Sequence, residues 1–454
     1  MTPTTGLTAL VLATAQTSVP VAWDSEQLGK HPGQNGQLTH EQVEIATAAW
    51  RYFENNFQPT TCLYNSVDGY PNTTMWDTAS ALAALVGAYE LNLIFSQDFD
   101  HRMGCLLESL NQLPLYRGEA PNKAYHTITL ASVNYDNQAG EIGFSAIDLG
   151  RLLLWLDIVK SRYPLHADAI DRLVLRWSFC NLVDRTGALH GATNSGAGEA
   201  MYLQEGRLGY EEYAATGFQL WGFDTTAASD PEPYEEIGIL GVPIAYDARD
   251  PKFFGAHNYV VTEAVLLSGL EMNWDRAGDT NPSDLYSSDR TGYTLAKRIF
   301  KAQVHRWRRT GTLTARTEHH LDGPPYFIYD TIYSDGTKWP TIADDARLFP
   351  ELAAVSTKAA IGMSVLLDTP YTDRLAEAAV PMLSPKRGLH EGFYENGGAR
   401  IEALTANTNG IVLEALLYKT QGKLHRGPTY TLWDTVPNSE HPGNSQCLPR
   451  TATQ

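Results

Sequence analysis

Apolar residues recur along most of the chain at the spacing of one face of a helix. In the segment 77–94, five apolar positions from Leu82 to Leu93 follow the order i, i+3, i+4, i+7 and i+11, which places them on one stripe. The segment 143–162 repeats this spacing from Leu149 to Leu156. The pattern predicts eleven helical segments: 41–57, 77–94, 98–113, 143–162, 165–183, 211–222, 257–271, 290–309, 343–367, 371–384 and 408–421.

Only short strands are expected between these helices, for example near 125–133 and 326–333. Helices that do not alternate with strands argue against a parallel α/β sheet, and the absence of a fixed-period repeat argues against a solenoid. Eleven or twelve helices suit six helical hairpins arranged as a toroid. The predicted fold class is therefore all-α, an (α/α)6 barrel with long loops and a few short strands at one end.

Three long loops are expected to build the functional site, because ordered loops on a rigid scaffold usually carry function. The alternative is that they are surface excursions. They span residues 184–210, 224–256 and 310–342.

The ends of the chain differ in composition from its middle. Residues 1–40 are rich in Thr, Gln, Gly and Pro and form a predicted lead segment, residues 41–430 a single domain, and residues 431–454 a C-terminal tail. The apolar run 6–14 resembles part of an export signal but lacks a basic start, so an unstructured lead-in is the alternative. We expect a periplasmic or secreted protein, with the cytoplasm left open, and no membrane span.

Charge and aromatic content favour a neutral sugar ligand. With 34 Lys and Arg against 52 Asp and Glu, the net charge is −18, which disfavours nucleic acid as a partner. The 10 Trp, 23 Tyr and 14 Phe could stack on sugar rings, although large helical proteins also pack many aromatic residues. An oligo- or polysaccharide is therefore the expected partner.

The remaining composition indicates no cofactor. Cys62, Cys105, Cys180 and Cys447 match no metal or redox motif, and either free thiols or any of three pairings are open. The chain contains no GxSxG, HExxH or Walker A motif. No cofactor or metal is predicted, although a calcium site among the many Asp residues is left open.

Glycoside hydrolysis usually needs two carboxyl groups across the scissile bond, and five acidic clusters have aromatic or apolar neighbours. The first is Trp76-Asp77, where Asp77 could also be a helix N-cap. The second is Glu141 and Asp148 in GEIGFSAIDLGRL. An apolar setting would raise the pKa of Asp148, as a general acid requires; an ion pair with Arg151 is the structural alternative.

The third cluster is Glu211-Glu212, which follows Tyr210 and precedes Trp221 and Asp224 in LGYEEYAATGFQLWGFD. Acids at a helix start would also favour the helix dipole without any catalytic role.

The fourth cluster is Asp330 and Asp335 in YFIYDTIYSDGTKW, with Tyr333 and Trp339 close in sequence. These aromatic residues suit a sugar subsite, and a β-turn at Asp335-Gly336 explains part of the pattern equally well.

The fifth cluster joins Glu391, Tyr394 and Glu395 to Asn407 and Asn409 in the segment after them. An Asn side chain can both donate to and accept from a sugar hydroxyl, and it can also cap a helix.

The order of five motifs resembles the bacterial glycoamylase-like family and a neighbouring family of unknown function, both related to endo-β-1,2-glucanases. The motifs run from about residue 50 to 425 and read MWDTASALAALVGAYELNLI, LPLYRGEAPNKAY, GFSAIDLGRLLLWL, GYEEYAATGFQLWGFD and GFYENGGARIEALTANTNGIVLEALLY. The resemblance implies an (α/α)6 barrel with a pocket for a β-glucan. It implies that Asp148, Glu211 and Glu212 line the sugar cleft, although the central segment differs from that of the better-known glucanases.

We therefore expect an endo-acting glycoside hydrolase for a β-glucan or a related bacterial polysaccharide. Glu211 or Glu212 is the expected general acid, and Asp148, with Glu141 nearby, the partner carboxylate. The resemblance favours inversion, which needs carboxyl groups about 6.5–9.5 Å apart. The alternatives are a glycan-binding protein without activity, or a lyase or epimerase on the same scaffold. The expected subsite residues are Trp76, Asp77, Tyr210, Trp221, Asp224, Asp330, Tyr333, Asp335, Tyr394, Asn407 and Asn409.

Overall fold

The computed structural model describes residues 36–230, 233–250, 257–274, 292–427 and 447–448. In these ranges the chain is mostly helical, as predicted. The helices are α1 (His40–Asn55), α2 (Met75–Glu90), α3 (Ser96–Gln112), α4 (Ala146–Arg162), α5 (Ala167–Leu175), α6 (Tyr210–Leu220), α7 (Thr226–Ser229), α8 (Glu263–Met272), α9 (Gly292–Thr310), α10 (Thr357–Leu366), α11 (Pro370–Ala379) and α12 (Ala406–Gln421).

Strands are more numerous than expected, and all of them are short. They form small antiparallel sheets of two or three strands, among them β1-β4-β5, β10-β11-β14 and β15-β18-β19. The strands are β1 (Asn72–Thr74), β2 (Leu115–Tyr116), β3 (Ala120–Pro121), β4 (Ala124–His126), β5 (Ser132–Val133), β6 (His190–Asn194), β7 (Ala200–Gln204), β8 (Tyr234–Ile239), β9 (Val242–Asp247), β10 (Glu318–His320), β11 (Phe327–Asp330), β12 (Tyr333–Ser334), β13 (Thr337–Lys338), β14 (Thr341–Ile342), β15 (Ala354–Ser356), β16 (Leu383–Ser384), β17 (Gly388–Leu389), β18 (Gly392–Tyr394) and β19 (Arg400–Ile401).

Two predicted helices extend far beyond the observed ones, and the predicted helix 257–271 begins only at Glu263. The segment 343–367 is helical only from Thr357, because the strand Ala354–Ser356 pairs with Gly392–Tyr394 before the helix begins. The segment 165–183 stops being helical at Leu175. Beyond that point the backbone N–H of Ser178 donates to the carbonyl of Glu119, so tertiary hydrogen bonds replace the helical ones.

Six helices pack against one another in a closed sequence of contacts. Helix α2 packs on α4, α4 on α6, α6 on α8, α8 on α10, α10 on α12, and α12 again on α2. Helices α2, α4 and α12 are buried on nearly every side, which is typical of helices inside a core. The other six helices pack outside them, each against at least one of the inner six.

Glycine residues permit the closest approaches between the inner helices. A Cβ at Gly150 on α4 would lie 2.6 Å from the Cβ and the carbonyl oxygen of Ala214 on α6. A Cβ at Gly217 would overlap the carbonyl oxygen of Gly150. Gly410 on α12 meets Ser80 on α2 in the same way, with 2.8 Å between its hypothetical Cβ and that of Ser80. The close spacing of these helices therefore depends on glycine having no side chain.

All four cysteines are paired, so the free-thiol alternative is wrong. Cys62 bonds to Cys105 and joins the turn after α1 to α3, across 43 residues of sequence. Cys180 bonds to Cys447 across 267 residues. No helix in the described ranges combines the length and the apolar character that crossing a membrane requires.

We predict that Gly217→Ala lowers the free energy of unfolding by about 2–3 kcal/mol, because its new methyl group must displace the α4 backbone. Chemical denaturation would measure the change. Gly104→Ala is the matched control: Gly104 lies inside α3, and a Cβ there meets no atom within 4 Å. That control should raise stability by up to about 1 kcal/mol, and equal losses in both variants would contradict the packing argument.

Candidate functional site

The first turns of the six inner helices meet at one end of the bundle. The indole Nε1 of Trp76, in the first turn of α2, donates to Glu263 Oε1 at 3.0 Å and to Asn407 Oδ1 at 3.2 Å. Asn407 Nδ2 donates to the same Glu263 oxygen at 2.8 Å. Glu263 begins α8 and Asn407 lies in the first turn of α12. We call Trp76, Glu263 and Asn407 the cleft floor.

The other three inner helices bring their first turns to the same place. Lys358, at the start of α10, forms an ion pair with Glu263. Tyr210, which begins α6, has its ring 6.2 Å from that of Trp76. Asp148, in the first turn of α4, is close enough to Asp77 on α2 for the charge of Asp77 to act on it. Helix N-termini carry partial positive charge, which offsets part of the negative charge gathered here.

Asp148 is the most perturbed carboxyl group of this cleft. Ser145 caps α4 by accepting from the backbone N–H of Asp148 at 3.1 Å. The Asp148 side chain is only partly exposed. Burial first, and then the negative charges of Glu205 and Asp77, raise the pKa of Asp148 to about 7. The structural alternative, an ion pair with Arg151, is not formed, because the guanidinium Nη2 binds Glu414 instead, at 2.7 Å. Asp148 is therefore a carboxyl group that can hold a proton at neutral pH.

Glu205 and Lys123 complete the surroundings of Asp148. Glu205 Oε2 accepts from the backbone N–H of Ala146 at 2.6 Å, at the start of α4. Burial raises the pKa of Glu205, while the positive charge of Lys123 opposes that rise. Lys123 acts in the same direction on Asp148. One lysine thus faces two carboxyl groups, which leaves this side of the cleft negative.

Four carboxyl groups lie close enough to Tyr135 for their charges to act on its hydroxyl. Its ring is 59 % exposed, and its hydroxyl pKa is raised by burial and then by the charges of Asp148, Glu205, Asp344 and Asp77. Since the ring itself is largely exposed, the four charges are the informative cause. They indicate that Asp344, on the loop after β14, lies close to the same ring as Asp148.

Aromatic rings form a wall beside Asp344. Tyr259 and Tyr329 stack with 3.8 Å between ring centroids and 10° between planes. Phe327 meets Tyr329 edge-on at 5.2 Å. Burial and then the charge of Asp344 raise the pKa values of both tyrosines. Partly exposed aromatic faces next to carboxyl groups are suited to the C–H faces and hydroxyls of a sugar.

Glu318 is paired with Tyr329 of this wall across the sheet, and its carboxylate accepts hydrogen bonds from two hydroxyl groups. It receives a hydrogen bond from the hydroxyl of Tyr210 and another from Thr317 Oγ1, the latter at 2.5 Å. Burial raises the pKa of Glu318, and the nearby charge of Lys358 opposes the rise. Glu318 therefore holds Tyr210 in place against Trp76.

The acids of the third cluster, which were expected to carry catalysis, are buried. Glu211 and Glu212 are 2 % and 3 % exposed. Glu211 Oε1 accepts from the backbone N–H of Leu189 at 3.2 Å, and Glu212 Oε2 accepts from the backbone N–H of Gly209, the N-cap residue of α6, at 2.6 Å. These contacts favour the structural alternative, and a catalytic role for either residue stays a prediction. Glu141 is exposed and accepts from the backbone N–H of Arg117 at 3.3 Å.

Asp77 and Asn409 are both tied into the protein by local bonds. The N-cap of α2 is Thr74 and not Asp77; Asp77 lies three residues later and accepts from the Thr74 hydroxyl at 2.8 Å. Asn409 is fully buried and accepts from Leu389 N–H at 2.8 Å. Asp77 remains near the cleft through its charge on Asp148.

The remaining expected subsite residues also have structural partners. The Trp221 indole is buried and donates to the carbonyl of Leu153 at 3.0 Å, and Asp224 accepts from the backbone N–H and hydroxyl of Thr226. Asp330 is buried and lies 3.1 Å from Arg316. Three more lie in or beside the small sheets: Tyr333 is buried in an apolar cluster, Asp335 pairs with His257, and Tyr394 packs on another apolar cluster.

Sequence reasoning included Tyr329 among the aromatic residues around Asp330 but missed Tyr135, Glu205, Glu263, Glu318 and Asp344. The wrong helix prediction over 343–367 hid Asp344, since it assigned a loop residue to a helix. The Asn- and Gly-rich stretch around Tyr135 could have marked an exposed loop. The others come together only through long-range packing. Among the described residues, no group of three or more His, Cys, Asp or Glu side chains is arranged to hold a metal ion.

Several solved structures share the fold of this chain. A candidate glucoamylase from Bacteroides caccae superposes with a TM-score of 0.63 at 11% identity, covering 85% of this chain and 94% of that one. The endo-β-1,2-glucanase of Chitinophaga pinensis, in complex with sophorotriose and glucose, gives 0.59 at 12% identity, covering 86% and 94%. The endo-β-1,2-glucanase of Talaromyces funiculosus, in complex with sophorose, gives 0.54 at 12% identity, covering 84% and 85%.

These similarities establish a shared fold, and no curated protein matches the sequence. The model of one family matches residues 44–422, which includes every inner helix and the whole cleft. The chain belongs to this family, which is described as a protein of unknown function, DUF3131.

Proposed function

We propose that this protein is a glycoside hydrolase that cleaves a β-linked glucan inside the chain, with Asp148 as the general acid. The observation that carries the proposal is the position of Asp148: its pKa is raised to about 7 by burial and by Glu205, in a cleft that exposes Tyr135 and part of Trp76. A carboxyl group protonated at neutral pH is what the leaving glycosidic oxygen requires.

The proposed scaffold is an (α/α)6 barrel. The closed sequence of contacts α2-α4-α6-α8-α10-α12 supports it, as does the second set of helices packed outside that ring. The fold shared with the two endo-β-1,2-glucanases supports it further. The first turns of the inner helices meet at one end of this ring, and that end is the proposed site.

In the proposed reaction, Asp148 gives its proton to the glycosidic oxygen as the bond to the anomeric carbon breaks. A water molecule attacks that carbon, and a carboxylate on the facing side takes the water's proton. Exchange with solvent then restores both groups. The protein thus holds one proton at one carboxyl group and accepts one at another.

Asp344 is the proposed partner carboxylate. It is exposed on the loop after β14, and it shares with Asp148 its closeness to Tyr135. Other acids of the cleft are already engaged: Glu318 by two hydroxyls, Glu263 by Lys358, and Glu205 by the backbone N–H of Ala146. Inversion is part of the proposal, and it requires room for a water molecule between the two carboxyl groups.

We predict that Asp148→Asn and Asp344→Asn each reduce glucan cleavage by about 10³-fold, the usual contribution of a positioned acid or base. Reducing ends would be counted on linear β-1,2-glucan first, because two proteins that share this fold are endo-β-1,2-glucanases. The β-1,3-, β-1,4-, β-1,6- and α-linked glucans would follow.

Asp345→Asn is the matched control for the loop. Asp345 is the exposed neighbour of Asp344 and bonds to Arg347 at 2.6 Å, so its variant should keep full activity. Glu212→Gln should also keep activity, with some loss of stability. If Glu212→Gln is inactive and Asp148→Asn is active, the acid has been assigned to the wrong helix. Binding without cleavage of any polymer would indicate a glycan-binding protein instead.

The raised pKa of Asp148 predicts the pH dependence of both activity and stability. Activity should fall as pH rises through about 7, as the acid loses its proton. Above that pH the ionised, partly buried side chain destabilises the folded state relative to the unfolded one, in which its pKa is about 3.9. Asp148→Asn should therefore be more stable than wild type at pH 8, by about 1–2 kcal/mol after allowing for its solvent contact, and nearly equal to it at pH 3.5. Denaturant titration at both pH values checks this, and a less stable variant at pH 8 would contradict it.

We also propose that the protein works in an oxidising compartment, the periplasm or the cell exterior. The two disulfides that pair all four cysteines support this, since such bonds persist mainly outside the reducing cytoplasm. Protein isolated from its native cells should have no thiol that reacts with a thiol reagent before reduction, and four after reduction and unfolding. Recovery from the cytoplasmic fraction with four free thiols would contradict the proposal.

A further inference from the structure

A fully buried cation lies directly beneath the cleft floor. Arg151, on α4, is 0 % exposed. Its guanidinium carbon lies 4.7 Å from the centre of the Trp76 ring. Since Arg151 is wholly buried and Trp76 is partly exposed, the cation supports the ring from the protein interior, and the exposed part of the ring faces the solvent.

The guanidinium also binds the second residue of the floor. Its Nη1 donates to Asn407 Oδ1 at 3.1 Å and to Ser80 Oγ at 2.9 Å. The Asn407 oxygen is therefore directed to Arg151 and Trp76, and its amide nitrogen to Glu263. This pattern of donors and acceptors allows only one orientation of the Asn407 amide.

Two buried glutamates hold the cation from below. Arg151 Nη2 donates to Glu414 at 2.7 Å, and Arg151 Nε lies 4.0 Å from Glu271. Glu271 in turn accepts from the Trp155 indole and the Tyr213 hydroxyl, both at 2.6 Å. Burial, and then the charge of Glu271, keep the pKa of Glu414 well above its usual range although Arg151 opposes the rise. Arg151, Glu414 and Glu271 thus form a buried polar column that runs from the cleft floor into the core.

Such a column is expensive as a stability device. Burying a charge costs several kcal/mol, and an apolar side chain of similar size is often as stable or more stable. An apolar side chain, however, could not bind the Asn407 oxygen and support the Trp76 face at the same time. Arginine does both, because the N–H groups at the edge of its planar guanidinium donate hydrogen bonds while the flat face of the same group stacks on an aromatic ring.

We propose that Arg151 is a positioning residue, which holds Trp76 and Asn407 in the orientation that binds the sugar. The proposal rests on the proposed function of the cleft. Arg151 touches no substrate itself and acts through the floor. Its loss should therefore weaken the binding of ground state and transition state alike, which raises KM and leaves kcat nearly unchanged.

The test compares two buried cations. Arg151→Lys keeps the charge and loses the fork. Lys160→Arg is the matched control, because Lys160 is also 0 % exposed, pairs with buried Asp171, and lies 4.7 Å from the centre of the Trp221 ring. Neither Asp171 nor Trp221 belongs to the cleft floor. Two readouts are measured in each: KM and kcat on the preferred glucan, and the indole N–H signal of Trp76 in ¹⁵N-tryptophan protein, assigned with Trp76→Phe.

We expect Arg151→Lys to raise KM about tenfold or more, with kcat within about threefold of wild type, and to shift or broaden the Trp76 signal without ligand. Lys160→Arg should change neither. If Arg151→Lys does not fold, Ser80→Ala, which removes one acceptor of the guanidinium, should produce a smaller change in the same direction.

Three outcomes would overturn the proposal: an unchanged KM, an unchanged Trp76 signal, or equal losses in the two cation variants. If wild type neither binds nor cleaves any glucan, the proposed function fails, and the Trp76 signal alone then decides whether Arg151 orients the floor.

Discussion

Helix ends cannot be left unsatisfied, and here six of them meet at one place. The first backbone N–H groups of a helix have no partner within it, so side chains, water or a ligand must satisfy them at the start of each inner helix. Thr74, Ser145 and Thr405 cap α2, α4 and α12 in this way, and Glu212 bonds back to Gly209 at the start of α6. Because all six starts lie together, the polar residues that capping requires are concentrated at one end of an apolar ring.

That concentration explains the electrostatics of the cleft. Glu205 binds the start of α4, and Glu263 lies at the start of α8, positions where helix dipoles favour negative charge. Few cations accompany them: Lys358 binds Glu263, and Lys123 faces Asp148 and Glu205. Burial first, and then this excess of acids, raises the pKa of Asp148. The chemistry proposed for this site therefore follows from how the ring of helices ends.

The helical pattern of the sequence predicted most of the scaffold, since buried helices leave a strong periodic signal. It failed at 343–367, where strand pairing overrode the local pattern. The apolar surroundings of Asp148 correctly predicted a raised pKa, but the contribution of Glu205 depends on a contact that no local pattern contains. Glu211 and Glu212 attracted attention as neighbouring acids at a helix start, and the structure buries both as backbone acceptors. Their exposure, and the partners of Arg151, depend on tertiary packing.

The most direct test is a crystal structure of Asp148→Asn with a β-1,2-linked gluco-oligosaccharide. The account predicts that the sugar chain spans the first turns of the inner helices, with a ring on Trp76 and one glycosidic oxygen within hydrogen-bond distance of the side chain at position 148. Asp344 should lie across the cleft, with room for one water molecule at the anomeric carbon. An oligosaccharide bound away from this end of the ring, or one whose glycosidic oxygens face Glu212 instead, would contradict it.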